Sequence, residues 1–134
     1  MGFMLTYDDA IHLDAEALAE GGIAEAYESL LRRLRMFVTH PARIEEFLDN
    51  DAPCYSVRCR DTEFEIYGPD LNEDEGNSWG RATVALFSIV NEQLENSRHR
   101  LYALNGGNDL FGVFLTPAEA TAAQRALPNR RDWP

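Results

Sequence analysis

The chain contains no lysine. Its twelve basic residues are all arginine, set against 23 acids, for a formal net charge of −11. The arginine bias is read as a coding preference and carries no functional weight. The shortage of positive charge does carry weight. A surface that binds nucleic-acid phosphates or anionic lipid needs a basic face, so neither is expected as a direct partner. Two readings of the charge remain: plain solubility, or steering toward a basic protein or a cationic ligand.

No apolar run approaches the roughly 20 residues of a membrane helix. The opening MGFMLTYDDA has no basic flank before its short apolar stretch, so no signal peptide is expected and the cytoplasm is the expected compartment. Only two cysteines occur, Cys54 and Cys59. On one strand their odd offset sends them to opposite faces, which predicts two free thiols, one of them buried, and neither a disulfide nor a shared metal. The three histidines, His12, His40 and His99, fall in separate elements with no zinc-ligand spacing. No serine sits in a GxSxG elbow. Gly106-Gly107 precedes a strand rather than a helix, so it reads as a turn and not a phosphate cradle. No nucleophile, base and oxyanion donors come together in the sequence. A non-catalytic chain without cofactor or metal is the expectation.

With 45% apolar and 26% charged residues over 134 positions, the composition is that of a globular chain with one domain, 1–134. Phe3, Leu5 and Tyr7 give a weak strand alternation. Asp14 is placed to cap a short helix that Gly21-Gly22 ends. Ile23, Tyr27, Leu30, Leu31 and Leu34 then share a helical stripe, with acids early and Arg32, Arg33 and Arg35 late, as the helix dipole favours. His40-Pro41 stops it. Strands are predicted at 43–48, at Cys54–Arg60 with Tyr55, Val57 and Cys59 on one face, and at Glu63–Tyr67 with Phe64 and Ile66 opposed to Glu63, Glu65 and Tyr67. Residues 70–78 read as an acidic loop. Trp79, Thr83, Leu86, Phe87, Val90 and Leu94 predict the next helix. His99–Leu104 and Leu110–Leu115 flank an Asn-Gly-Gly-Asn-Asp turn, and Thr116-Pro-Ala-Glu119 is a capping box. The predicted class is α+β in the order (β)ααβββαββα, with an antiparallel sheet of about five strands covered by helices on one face.

Charge is unevenly placed along this order. Residues 1–28 hold seven acids and no base, 29–43 hold four arginines and no acid, and 44–79 hold eleven acids against Arg58 and Arg60. Two acidic stretches therefore flank one basic helix end. Tyr55, Tyr67 and Trp79 bracket the acids of 61–75, and aromatic anchors among charges are a common composition of protein interfaces. The candidate partner-binding residues are Glu63, Glu65, Tyr67, Asp70, Glu73, Asp74, Glu75 and Trp79. Trp79 also suits the first core position of its helix. The acids of 70–75 lack the register of a calcium loop.

The stretches Tyr55–Pro69, Trp79–Asn91, Tyr102-Ala-Leu-Asn-Gly-Gly-Asn-Asp-Leu-Phe-Gly-Val-Phe-Leu-Thr-Pro117 and Arg131-Asp-Trp-Pro134 resemble small bacterial immunity proteins of polymorphic toxin systems. The resemblance rests on hairpin and capping motifs. It implies a cytoplasmic inhibitor, without catalytic residues, that binds a cognate toxin. A toxin attacking nucleic acid or nucleotides is basic where it binds substrate and is matched by carboxylates. Two alternatives stand beside it: a small enzyme using Glu63, Glu65 or His99 in a pocket between sheet and helices, and a homo-oligomeric scaffold pairing through a strand such as 110–115.

Overall fold

A computed structural model of the chain describes residues 10–49, 51, 53–68, 75–104 and 107–126. The strand expected at Phe3, Leu5 and Tyr7 lies outside them. The first described elements are a two-residue strand β1, Ile11–His12, and the helical turn α1, Ala15–Ala17. The Asp14 carboxylate caps α1 by accepting from the amides of Glu16 (3.1 Å) and Ala17 (3.4 Å). A π-type turn, Leu18–Gly22, follows and kinks. Gly21 takes φ +100°, and a Cβ on Gly22 would lie 2.6 Å from the carbonyl oxygen of Ala17, so the glycine pair is what lets the chain turn here.

Helix α2, Ile23–Leu34, buries Ile23, Tyr27, Leu30 and Leu34, the expected stripe with Leu31 at its margin. No side chain of its own first residues caps it. Its amides are met from strands β2, Ile44–Asp49, and β3, Cys54–Cys59. The Tyr55 hydroxyl accepts from the Ile23 amide at 3.1 Å and donates to Glu46 at 2.6 Å, while Glu46 accepts from the Ala24 amide at 2.9 Å. A strand carboxylate thus sits at the positive end of a helix, where the dipole favours it.

The class is α+β and both sheets are antiparallel, with an element order close to the one predicted. The strands number six in two sheets rather than about five in one. One sheet has the order β1-β6-β5, with β5 Arg100–Leu104 and β6 Phe111–Leu115; the other has the order β2-β3-β4, with β4 Thr62–Tyr67. Helix α3, Glu75–Gln93, contacts β4 of one sheet and β5 of the other. It starts four residues earlier than Trp79, so residues 75–78 of the expected acidic loop are helical. Its buried stripe is Ala82, Ala85, Leu86, Ile89 and Val90, continuing to Leu94 just beyond its end. Thr83 and Phe87 of the expected stripe lie at its margin.

The two sheets are buried differently. Leu101, Ala103 and Phe114 of the first sheet face the main core, which also holds Tyr55, Val57 and Ile66 of the second. Leu104, Val113 and Leu115, on the first sheet's other face, are buried against Ala120 of helix α4, Pro117–Ala126. A helix therefore covers that face too, which the expectation of helices on one side did not include. The capping box forms as predicted: the Thr116 amide donates to Glu119 (2.9 Å) and the Glu119 amide to the Thr116 hydroxyl (3.2 Å). In the second sheet only Tyr55, Val57, Cys59 and Ile66 are buried. Cys54 and Cys59 are free, and Cys59 is the buried one.

Candidate functional site

Cross-strand register defines the outer face of the second sheet. Phe47, Ser56 and Glu65 form one row across its three strands, and Glu45, Arg58 and Glu63 the next. Phe47, Glu45, Arg58, Glu63 and Glu65 are all exposed, Phe47 at 51%. An aromatic ring standing half in water beside three carboxylates is the feature of this face that packing within the chain does not explain.

Of the predicted contact residues, Glu63 and Glu65 lie on this face. Tyr67 does not follow their alternation. A register shift between Tyr55 and Ser56 sets Tyr67 opposite Tyr55, with the two rings 6.0 Å apart, and Tyr67 packs against the core. Its phenol pKa is raised, chiefly by burial. Trp79 is half-buried and packs against the same core, the structural role that its helix position also allowed. Glu75 begins α3. Asp70, Glu73 and Asp74 lie outside the described residues.

The residues named for the enzyme alternative are dispersed. Glu63 and Glu65 are on the outer sheet face, whereas the His99 ring stacks on Phe37 at 4.3 Å. Neither cleft described below is lined by any of the three. The strand offered for self-pairing, 110–115, forms as β6, Phe111–Leu115, and is the middle strand of its sheet, with β5 on one side and β1 on the other. Among the described residues no group of three or more His, Cys, Asp or Glu could hold a metal. No helix among them is long and apolar enough to cross a membrane.

Two adjoining clefts open where α2 hands over to β2. One, of about 460 Å³, is lined by His40, Ala42, Arg43, Glu45, Arg58 and Arg60. The other, of about 350 Å³, shares Ala42 and Arg43 with it and has Tyr27, Leu31, Pro41 and Ile44 among its walls. The shared segment is held rigidly. Tyr27 donates its hydroxyl proton to the Ala42 carbonyl (2.6 Å), and Gln93 accepts from the Ala42 amide (2.8 Å) while its own amide donates to the Tyr27 oxygen (3.0 Å). Burial raises the Tyr27 pKa, so the phenol stays a donor. Sequence reasoning missed this site. Its signals were the four arginines of 29–43 and the lone arginines, Arg58 and Arg60, inside an acidic stretch.

No protein-family model, curated protein or solved structure matches the chain.

Proposed function

We propose that the chain is a non-catalytic inhibitor that binds a basic protein, in the manner of an immunity protein neutralising its cognate toxin, through the outer face of the second sheet. The observation that carries this reading is Phe47, an exposed aromatic on a strand face with Glu45, Glu63 and Glu65 around it. Aromatic side chains anchor interfaces by desolvation, and carboxylates around them speed encounter with a positive surface and set its orientation. The acids of 70–75 follow β4 in the sequence. Such a face suits a toxin whose substrate is nucleic acid or a nucleotide, since its substrate-binding surface is basic. The resemblance to immunity proteins agrees with this role, and the cytoplasm is the compartment it requires.

The test is co-expression and pull-down with the product of the adjacent reading frame. The expected result is that this product is toxic alone, harmless with the inhibitor, and recovered in complex with it. Phe47→Ser combined with Glu63→Lys and Glu65→Lys should abolish recovery while circular dichroism stays that of the parent. An adjacent product that is neither toxic nor bound, or a triple variant that binds like the parent, would overturn the proposal. Reversing Glu73, Asp74 and Glu75 together measures separately what that acidic stretch adds.

A further inference from the structure

The clefts at the α2–β2 junction point to a second site, which borders the proposed interface and shares Glu45 with it: we infer that they bind a nucleoside diphosphate, with its phosphates on Arg43, Arg58 and Arg60 and its base in the adjoining cleft. In a chain of net charge −11, three guanidiniums and His40 line one cleft. The β2–β3 ladder explains how they meet. Ile44 pairs with Cys59 and Glu45 with Arg58, and Arg43 and Arg60 flank the ladder's last pair in sequence. Like charges gathered in one cleft repel each other. Of the three, Arg58 has carboxylates opposite it on both neighbouring strands, Glu45 and Glu63, whereas Arg43 and Arg60 lie beyond the ladder's last pair. A bound diphosphate offsets the repulsion among the three, because guanidinium forks match phosphate oxygens in pairs.

Arg60 supplies an independent observation. It begins the two-residue connection between Cys59 and Thr62, and its φ is +55°, in the left-handed region that favours glycine. An arginine held there costs free energy that glycine would not. Its side chain lines the cleft, and strain of this kind collects at binding sites.

The rest of the lining selects among anions. Glu45 opposes free inorganic phosphate by its charge but accepts hydrogen bonds from the hydroxyls of a sugar. Tyr27, Leu31, Pro41 and Ile44 give the neighbouring cleft one apolar wall for a planar ring, and Glu28 and Arg35 supply polar groups for the ring's edge. Ala42 and Arg43 belong to both clefts, and the grip of Tyr27 and Gln93 on the Ala42 backbone fixes the edge between them. A long polyanion is disfavoured by the net charge, whereas a compact one needs only this local patch.

Isothermal titration calorimetry at low ionic strength, with ADP and pyrophosphate as probes, tests the assignment. ADP should bind saturably, and about tenfold or more tighter than pyrophosphate, a gap of roughly 1.4 kcal/mol. Arg43→Ala should weaken ADP by about tenfold, the scale of one lost charged hydrogen bond. Arg60→Gly is the decisive variant. It removes the left-handed strain, so it should melt no lower than the parent and yet bind ADP more weakly, which a purely structural role for Arg60 would not produce. Absence of saturable binding, equal affinity for the two probes, or parental affinity in Arg60→Gly would each overturn the inference. Glu65→Lys lies outside both clefts and should leave ADP binding intact, so this site and the protein interface fail separately.

Discussion

The two sheets have three antiparallel strands each and are put to different uses. The first sheet has no wet face: Leu101 and Phe114 pack on the main core and Leu104, Val113 and Leu115 pack beneath α4. The second shields one face only, and its outer rows hold Phe47, Ser56 and Glu65, then Glu45, Arg58 and Glu63. Hydrophobic burial fixes the first sheet and consumes both of its surfaces. The second is held from inside and leaves an outer surface on which composition is free to serve a ligand or partner.

This contrast should appear in stability measurements. The largest effect is expected in the first sheet. Leu104→Ala should cost about 2–5 kcal/mol in urea unfolding, the range for a buried leucine. A loss below about 1 kcal/mol would mean that α4 does not seal that face, since ordinary exposed substitutions stay within roughly ±0.5 kcal/mol. Tyr55→Phe comes next. It leaves the Ile23 amide without its partner and takes a donor from Glu46, which should cost about 1–3 kcal/mol.

The same residue sets an alkaline limit. Burial, and then the hydrogen bond to Glu46, push the Tyr55 pKa far above the ordinary 10.0. A phenol that keeps its proton when folded but releases it when unfolded contributes full stability below pH 10.0, and that contribution declines as pH rises beyond it. Unfolding free energy should therefore fall above pH 10, less steeply in Tyr55→Phe. Identical slopes would show that the hydroxyl is not held as described. The smallest effect belongs to the outer face. Phe47→Ser should move stability by no more than about 0.5 kcal/mol, and a larger loss would place that ring in the core rather than at an interface.

Local signals were legible in the sequence. The Asp14 cap, the α2 stripe, the β5–β6 hairpin and the Thr116–Glu119 box each depend on residues a few positions apart, and each formed. The division into two sheets was not legible, because it turns on α3 reaching β4 and β5, whose neighbours no short-range pattern specifies. The α3 stripe was read toward Trp79, Thr83 and Phe87 because large side chains dominate a periodicity count. The structure centres it on Ala82, Ala85 and Ile89, where small residues admit close approach. Of the site, the acids at 63 and 65 were found and Phe47 was not, since its exposure depends on the β2–β3 pairing. The arginine cleft depends on the same pairing and was equally hidden.

Asn91 has an effect beyond its own helix. Its side-chain amide donates to the Leu101 carbonyl (3.0 Å) and accepts from the Leu101 amide (2.7 Å), on the outer side of β5, an edge strand. An open strand margin invites recruitment of another chain and, with it, amyloid-like growth. By mimicking a peptide unit, one asparagine plugs that margin at Leu101, the second of its five residues, and Asn91→Ala should shorten the lag of fibril formation even where the monomer still folds.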